Sequence, residues 1–384
     1  MNLPFRTGLL LLPALAALAL AAPSASTFTL TTQASAWTLG PTQTASTTIG
    51  MPELRGSSAS VQLSLEGPST GTGRNKISAT FGALKNGSSP VKLTVGPDVP
   101  VGMYPITLRA TAGALSRTVA LQVKVERWLL VDADRSANNS GVTEAHRPNP
   151  TAGASKLDTL MNDALKGKIF DTYAVRQGSM TTDLASIGGP SATVLRTYSH
   201  VLWYTGAQDY QVPVKEDYDA MRDFLNHDQR RLVLLAPALV VNMNGAANVF
   251  QTTEPEAKDQ PLLATQKRFL KDMFGVAGYH GAYTRDSYSI LPVKGSAVSA
   301  LGAVEAAGGN SLRAAFQPQD DPAVSSLFTA PVKDQRNTVS TGSIVLMRKA
   351  LGPKRTSSAM FMGVSPDLLQ SSKTPTLLRS LISF

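Results

Sequence analysis

Two carboxylates one residue apart, Asp132 and Asp134, end the apolar run Trp128-Leu-Leu-Val-Asp-Ala-Asp134. So short a spacing can present both groups to a hard cation, Ca²⁺ or Mg²⁺, with loop carbonyls completing the shell. The commoner use of such a pair is structural: bonding loop amides, capping the next segment or pairing with Arg135. A second group has the opposite sign. Arg348-Lys349 and Lys354-Arg355 flank Ala-Leu-Gly-Pro353, which reads as a hairpin bearing four positive charges. Such a hairpin can grip phosphates or an acidic polymer.

Other chemistry-bearing patterns fail on context. The histidines His146, His200, His227 and His280 form neither H-x-x-x-H nor H-E-x-x-H spacing, so they carry no zinc signature. His280, in Gly278-Tyr-His-Gly-Ala-Tyr283, reads as an exposed loop residue. Only if it met Asp132 and Asp134 at the strand tips would a hydrolase or carbohydrate-active site arise. Gly67-Pro-Ser-Thr-Gly71 matches G-x-S-x-G, but that elbow needs a buried strand before it and a helix after it. The Gly-rich, polar Thr70-Gly-Thr-Gly-Arg74 follows instead, so Ser69 is a loop serine. Gly82 and Gly87 have phosphate-loop spacing without the lysine. Trp128, Trp203 and Tyr204 lie in apolar runs and read as core.

The chain of 384 residues has no cysteine. This excludes a disulfide framework, a thiolate metal site, a lipid-modified cysteine and a cysteine nucleophile together. Its hydrophobic content of 42% supplies enough apolar material for two ordinary cores. The formal charge of +9 is concentrated in residues 1–127, where 10 basic side chains face 4 acidic ones. Such a balance favours anionic surfaces, whether envelope polymers, lipid headgroups or nucleic acid, without choosing among them. Arg6, the apolar run from Leu9 to Leu20 and the small residues Ala19-Leu-Ala21 fit a secretory signal. The run is shorter than the about 20 apolar residues of a membrane helix. An exported mature chain without a transmembrane span is expected.

The elements that must position these residues have two different periods. From Ser26 to Glu126, Gly, Pro or Asn punctuate short alternating runs: Val61, Leu63, Leu65; Val91, Leu93, Val95; Val119, Leu121, Val123, Val125. That is the pattern of half-buried strands in a sandwich. From Trp128 onward, continuous apolar strands alternate with helices. The strands are Trp128–Asp134, Phe170–Val175, His200–Gly206, Arg231–Leu235 and Ala359–Gly363. The helices fall around Ala154–Leu165, Val214–Leu225, Leu262–Phe274 and Pro375–Ile382. In the second helix Val214, Tyr218, Met221 and Leu225 form one apolar stripe. Strands buried on both faces and alternating with helices imply a doubly wound parallel sheet.

Two family resemblances sit on these patterns. Asp98–Gly113, with Pro100, Gly102 and Tyr104 in a P-x-G-x-Y arrangement, and the closing strand Arg117–Val125 resemble a bacterial immunoglobulin-like module. The stretches LLVDAD, HVLWYTG, KEDYDAMRDFLN, RRLVLLAP and SSAMFMGVSPDLL resemble, in order and spacing, the class I glutamine amidotransferase-like domains appended to exported bacterial peptidases. That resemblance implies a nucleophilic cysteine on the bend after Leu235, where backbone amides would form an oxyanion hole. Ala236-Pro237-Ala238 stands there instead, so amidotransferase chemistry is absent.

The expectation is therefore a multidomain chain. It has a signal peptide over 1–21, an immunoglobulin-like β-sandwich over 22–126 and a flavodoxin-like, amidotransferase-like α/β domain over 127–384. The expected role is a non-catalytic binding or structural module of the cell envelope or exterior, meeting an envelope protein or polymer. No cofactor is expected beyond calcium at Asp132 and Asp134. The alternatives are a cryptic hydrolase using Asp132, Asp134 and His280, and a nucleic-acid or anionic-polymer binder through the basic surface.

Overall fold

The computed structural model describes residues 27–55, 60–134, 156–175, 188–205, 213, 215–237, 239, 261–284, 288–306, 311–333, 339–352, 354–369 and 372–383. The signal-like residues 1–21, Arg135, His146, Val214 and Ala238 lie outside the described residues.

The chain divides into two compact units. One comprises 1–37, 44–94 and 105–122, and the other comprises 38–43, 95–104 and 123–384. The smaller unit is built on β1 (Thr31–Thr32), β2 (Ala36–Leu39), β3 (Thr44–Gly50), β4 (Val61–Glu66), β5 (Ile77–Phe81), β6 (Ser88–Val95), β7 (Gly102–Ala112) and β8 (Leu115–Val125). They form two four-stranded sheets, ordered β1-β3-β6-β5 and β2-β8-β7-β4. Alternation decides which faces are buried: along β6 Val91, Leu93 and Val95 are buried, whereas Pro90 and Lys92 are exposed. A two-residue turn joins β7 to β8, and Gly113 takes it with φ +60°, a conformation that glycine adopts without steric cost.

The larger unit continues with β9 (Trp128–Asp132), α1 (Lys156–Ala164), β10 (Phe170–Ala174), α2 (Ala192–Arg196), β11 (His200–Tyr204), α3 (Lys215–Leu225), β12 (Arg231–Leu235) and α4 (Pro261–Phe269). Then come β13 (Val276–Thr284), β14 (Tyr288–Pro292), β15 (Val304–Ala306), β16 (Ser311–Pro318), β17 (Val324–Lys333), β18 (Val339–Leu351), β19 (Ser357–Met362) and α5 (Thr374–Ser383). All the strands from β9 onward join one eleven-stranded sheet. β10, β9, β11, β12 and β19 pair in parallel. β19 then pairs antiparallel with β18, β18 with β17, and β17 with β14.

This architecture corrects the expected fold class. Strand structure dominates, and the sheet is mixed: six of its eleven strands, β13 to β18, enter it through antiparallel pairs. The larger unit is not a doubly wound, flavodoxin-like α/β domain. The physical reason lies in residues 276–351. There strand follows strand through short connections, and no helix of more than one turn separates them among the described residues. Strands joined in this way pair antiparallel, because a parallel return needs a crossover of a dozen or more residues.

Two hydrophobic cores flank the sheet, and consecutive strand residues alternate between them. Leu129, Val131, Val201, Trp203, Leu232 and Leu234 face one core. Trp128, Leu130, Leu202, Tyr204, Val233 and Leu235 face the other. The first core is capped by Tyr218, Met221, Phe224 and Leu225 of α3 and by Phe269 and Phe274. The second is capped by Leu157 and Met161 of α1 and by Leu377, Leu378 and Leu381 of α5. Burial on both faces accounts for the continuous apolar reading of β9, β11 and β12. Among the described residues, no helix is long and apolar enough to cross a membrane.

Candidate metal centre

β9 and β11 lie side by side in parallel, with Asp132 in register with Tyr204. The Ala133 amide donates to the Tyr204 carbonyl at 2.9 Å, and the Val175 amide donates to the Asp132 carbonyl at 2.8 Å. Asp132 is thus fixed at the carboxyl edge of the sheet, with Asp134 two residues beyond it. A third carboxylate arrives from a different element. Asp158 stands in the first turn of α1, where a negative charge is favoured by the helix dipole. Ligand oxygens of Asp132, Asp134 and Asp158 all lie within 4.8 Å of one another. Asp134 is buried, and the other two are half-buried.

Tyr204 links the cluster to the core. Its ring is buried, and its hydroxyl donates to Asp158 Oδ1 at 2.6 Å. The Asp134 amide donates to Asp132 Oδ1 at 3.3 Å. Burial, followed by the charges of Asp134 and Asp158, pushes the Asp132 carboxyl up to about 8. Burial and the nearby Asp132 and Asp158 also raise the Tyr204 hydroxyl, which therefore stays a donor at neutral pH. Three partly buried carboxylates this close relieve their repulsion by sharing protons or by taking up a cation. The donor set is all oxygen, which suits Ca²⁺ or Mg²⁺ and lacks the nitrogen and sulfur ligands favoured by zinc.

Asp132 and Asp134 are brought together as their spacing suggests, whereas Asp158 escapes a reading of the sequence. The available signal is an acid in the first turn of the helix after β9, because that turn returns to the carboxyl edge of the sheet. Tyr204 reads as core, and its ring is there, but its hydroxyl reaches the carboxylates.

The remaining candidates fall elsewhere. His280 lies on β13, paired with Ala315 of β16, rather than in a loop. His200 opens β11, at the opposite end from Tyr204. Its ring stacks on Trp128 with centroids 4.2 Å apart, and Ser199 Oγ lies 2.7 Å from Nδ1. Burial, then the charges of Arg231 and Lys124, push this imidazole down to about 2, so it is a neutral core residue. Ser69 sits between β4 and β5, where its carbonyl accepts from the Ile77 amide at 2.8 Å, and no helix follows. At the bend after β12, Ala236 and Pro237 are both buried.

The four cations of the basic hairpin do not act as one cluster. Arg348 and Lys349 are neighbours on β18 and so point to opposite faces. Lys349 Nζ lies 3.6 Å from Asp321 and 3.5 Å from Gln319 Oε1. Lys354 and Arg355 are exposed in the turn before β19.

No family model matches the chain, and no curated protein matches it. Among solved structures, the titin M3 domain is 16% identical and aligns over 26% of this chain and 100% of its own, with a TM-score of 0.20. A chain from a structure that concerns T cell specificity and activation by the bacterial superantigen toxic shock syndrome toxin-1 is 10% identical over 26% of this chain and 99% of its own, at 0.20. A sialyltransferase from Photobacterium damsela is 9% identical over 54% of this chain and 44% of its own, at 0.23. At these scores none carries an argument about fold or function.

Proposed function

We propose that the chain is a non-catalytic binding protein of the cell envelope or exterior, and that its larger unit holds a divalent cation through Asp132, Asp134 and Asp158. The observation that carries this reading is the convergence of three carboxylate ligand atoms within 4.8 Å at the edge of the sheet. A bound cation would tie the residues after β9 to the first turn of α1 and so order the rim from which a ligand is recognised. An envelope protein or polymer is the partner class, and the basic balance of the chain supports an anionic surface.

Binding rather than catalysis is favoured by the side chains at hand. The bend after β12 offers alanine and proline, neither of which can attack a carbonyl. Neither His200 nor His227 joins the carboxylates, so no described imidazole is placed to move protons there. Arg6 and the apolar run from Leu9 to Leu20 support an exported setting.

The test is the melting temperature of the full chain in calcium or magnesium against chelator. A ligand at a hundred times its Kd stabilises by about 2.7 kcal/mol, which is read as a rise of several degrees. Asp132→Asn and Asp158→Asn should each abolish the rise. An unchanged melting temperature in both metals would overturn the reading.

A further inference from the structure

Residues 293–297 after β14, together with β17 and β18, border a pocket of about 340 Å³, whose lining includes Lys294, Ser296, Ser325, Ser326, Leu327 and Arg348. Its size falls within the range of small-molecule sites and well above what a lone inorganic ion fills. The polar groups in it are unusual for being left over.

Arg348 Nε is shielded from solvent and has no hydrogen-bond partner among the described residues. The guanidinium is half-buried, and burial together with the like charge of Arg231 disfavours its charged form. Its neighbour Lys349 shows the contrast, because Asp321 and Gln319 compensate it on the other face of the strand. Ser296 Oγ, in the same pocket, is also shielded and without a partner among the described residues. Ser325 stands in register with Arg348 across the β17–β18 pair, and Lys294 lies at the rim. A half-buried guanidinium whose charged form is disfavoured gains from an anion beside it.

We propose that this pocket binds a small organic phosphate. A guanidinium, an ammonium and the hydroxyl of Ser325, on the Arg348 face of the sheet, supply more donors than one carboxylate accepts. They suit the several oxygens and near-dianionic charge of a phosphoryl group. The volume left over, walled in part by Leu327, takes the polar body of a molecule about the size of a monosaccharide. The site is separate from the carboxylate cluster and stands whether or not that cluster binds metal.

The experiment is calorimetric titration of the full chain with glucose 6-phosphate, inorganic phosphate, sulfate and glucose. Glucose 6-phosphate should bind tightest, inorganic phosphate and sulfate more weakly, and glucose not at all. Arg348→Met should weaken binding at least about tenfold. It should also fold at least as well as the parent, because it removes an unpaired charge. Ser325→Ala should weaken binding severalfold, and it decides the matter if the arginine variant fails to fold. Lys354→Gln/Arg355→Gln, which alters only exposed hairpin cations, should bind as the parent does. Four results would overturn the proposal: no binding of either phosphate, undiminished binding in both pocket variants, equal affinity for sulfate and glucose 6-phosphate, or equal weakening by the hairpin variant. The last would mark diffuse charge attraction, and equal affinity for sulfate and glucose 6-phosphate would mark an adventitious ion only.

Discussion

Tyr204 Oη donates to Asp158 Oδ1 across 2.6 Å, joining the end of β11 to the first turn of α1. The bond ties a core aromatic to a carboxylate that a cation site needs held in place. Tyr204→Phe keeps the buried ring and deletes only the donor. A hydrogen bond to a charged group contributes roughly 1.5–3 kcal/mol, so urea unfolding should register a loss of that order. A variant as stable as the parent would show that the contact carries no net stability.

Asp132 and His200 give opposing pH dependences. Folded Asp132 keeps its proton up to about pH 8, whereas its ordinary value is 3.8. The folded state therefore binds the extra proton between these limits, and stability falls as pH rises through them. His200 is held near 2 against an ordinary 6.5. There the unfolded state binds the extra proton, and stability falls as pH drops below 6.5. Between about pH 4 and 6.5 the two slopes offset each other, and above 6.5 Asp132 acts alone. In chelator, the parent should lose stability between about pH 6.5 and 8, by at most about 1.4 kcal/mol per pH unit for one proton. Asp132→Asn should be flat there and should lose stability more steeply than the parent on acidification below 6.5. Denaturant midpoints across pH check both limbs, and identical profiles would remove Asp132 from the account.

Gly275 is irreplaceable on two counts. Its φ of +76° is left-handed, and a Cβ there would stand 2.2 Å from Val324 Cγ2. The residue ends the turn after α4, where its amide donates to the Lys271 carbonyl at 3.1 Å. Gly275→Ala should cost about 2–4 kcal/mol through backbone strain and overpacking together. Thermal unfolding measures it, and a loss below about 1 kcal/mol would mean that the turn relaxes.

What can be read from the sequence follows the strength of local signals. β9, β11 and β12 announce themselves because burial on both faces leaves an unbroken apolar run. Asp132 and Asp134 stand out because they end such a run. Asp158 does not, since only the return of α1 to the sheet edge brings it near, and sequence separation hides that. β13 to β18 escape notice because their Gly, Ser and Thr residues break up the apolar pattern. The four hairpin cations look like one cluster because charge counts ignore the pleat, which sends Arg348 and Lys349 to opposite faces.

The most direct measurement is terbium luminescence sensitised by the aromatic side chains beside the carboxylates. Tb³⁺ takes oxygen ligands as Ca²⁺ does, and Tyr204 lies within hydrogen-bond distance of one proposed ligand. The full chain should give saturable sensitised emission that calcium displaces, that Tyr204→Phe reduces and that Asp132→Asn abolishes. Emission that never saturates, or that persists undiminished in Asp132→Asn, would contradict a cation site at these three aspartates.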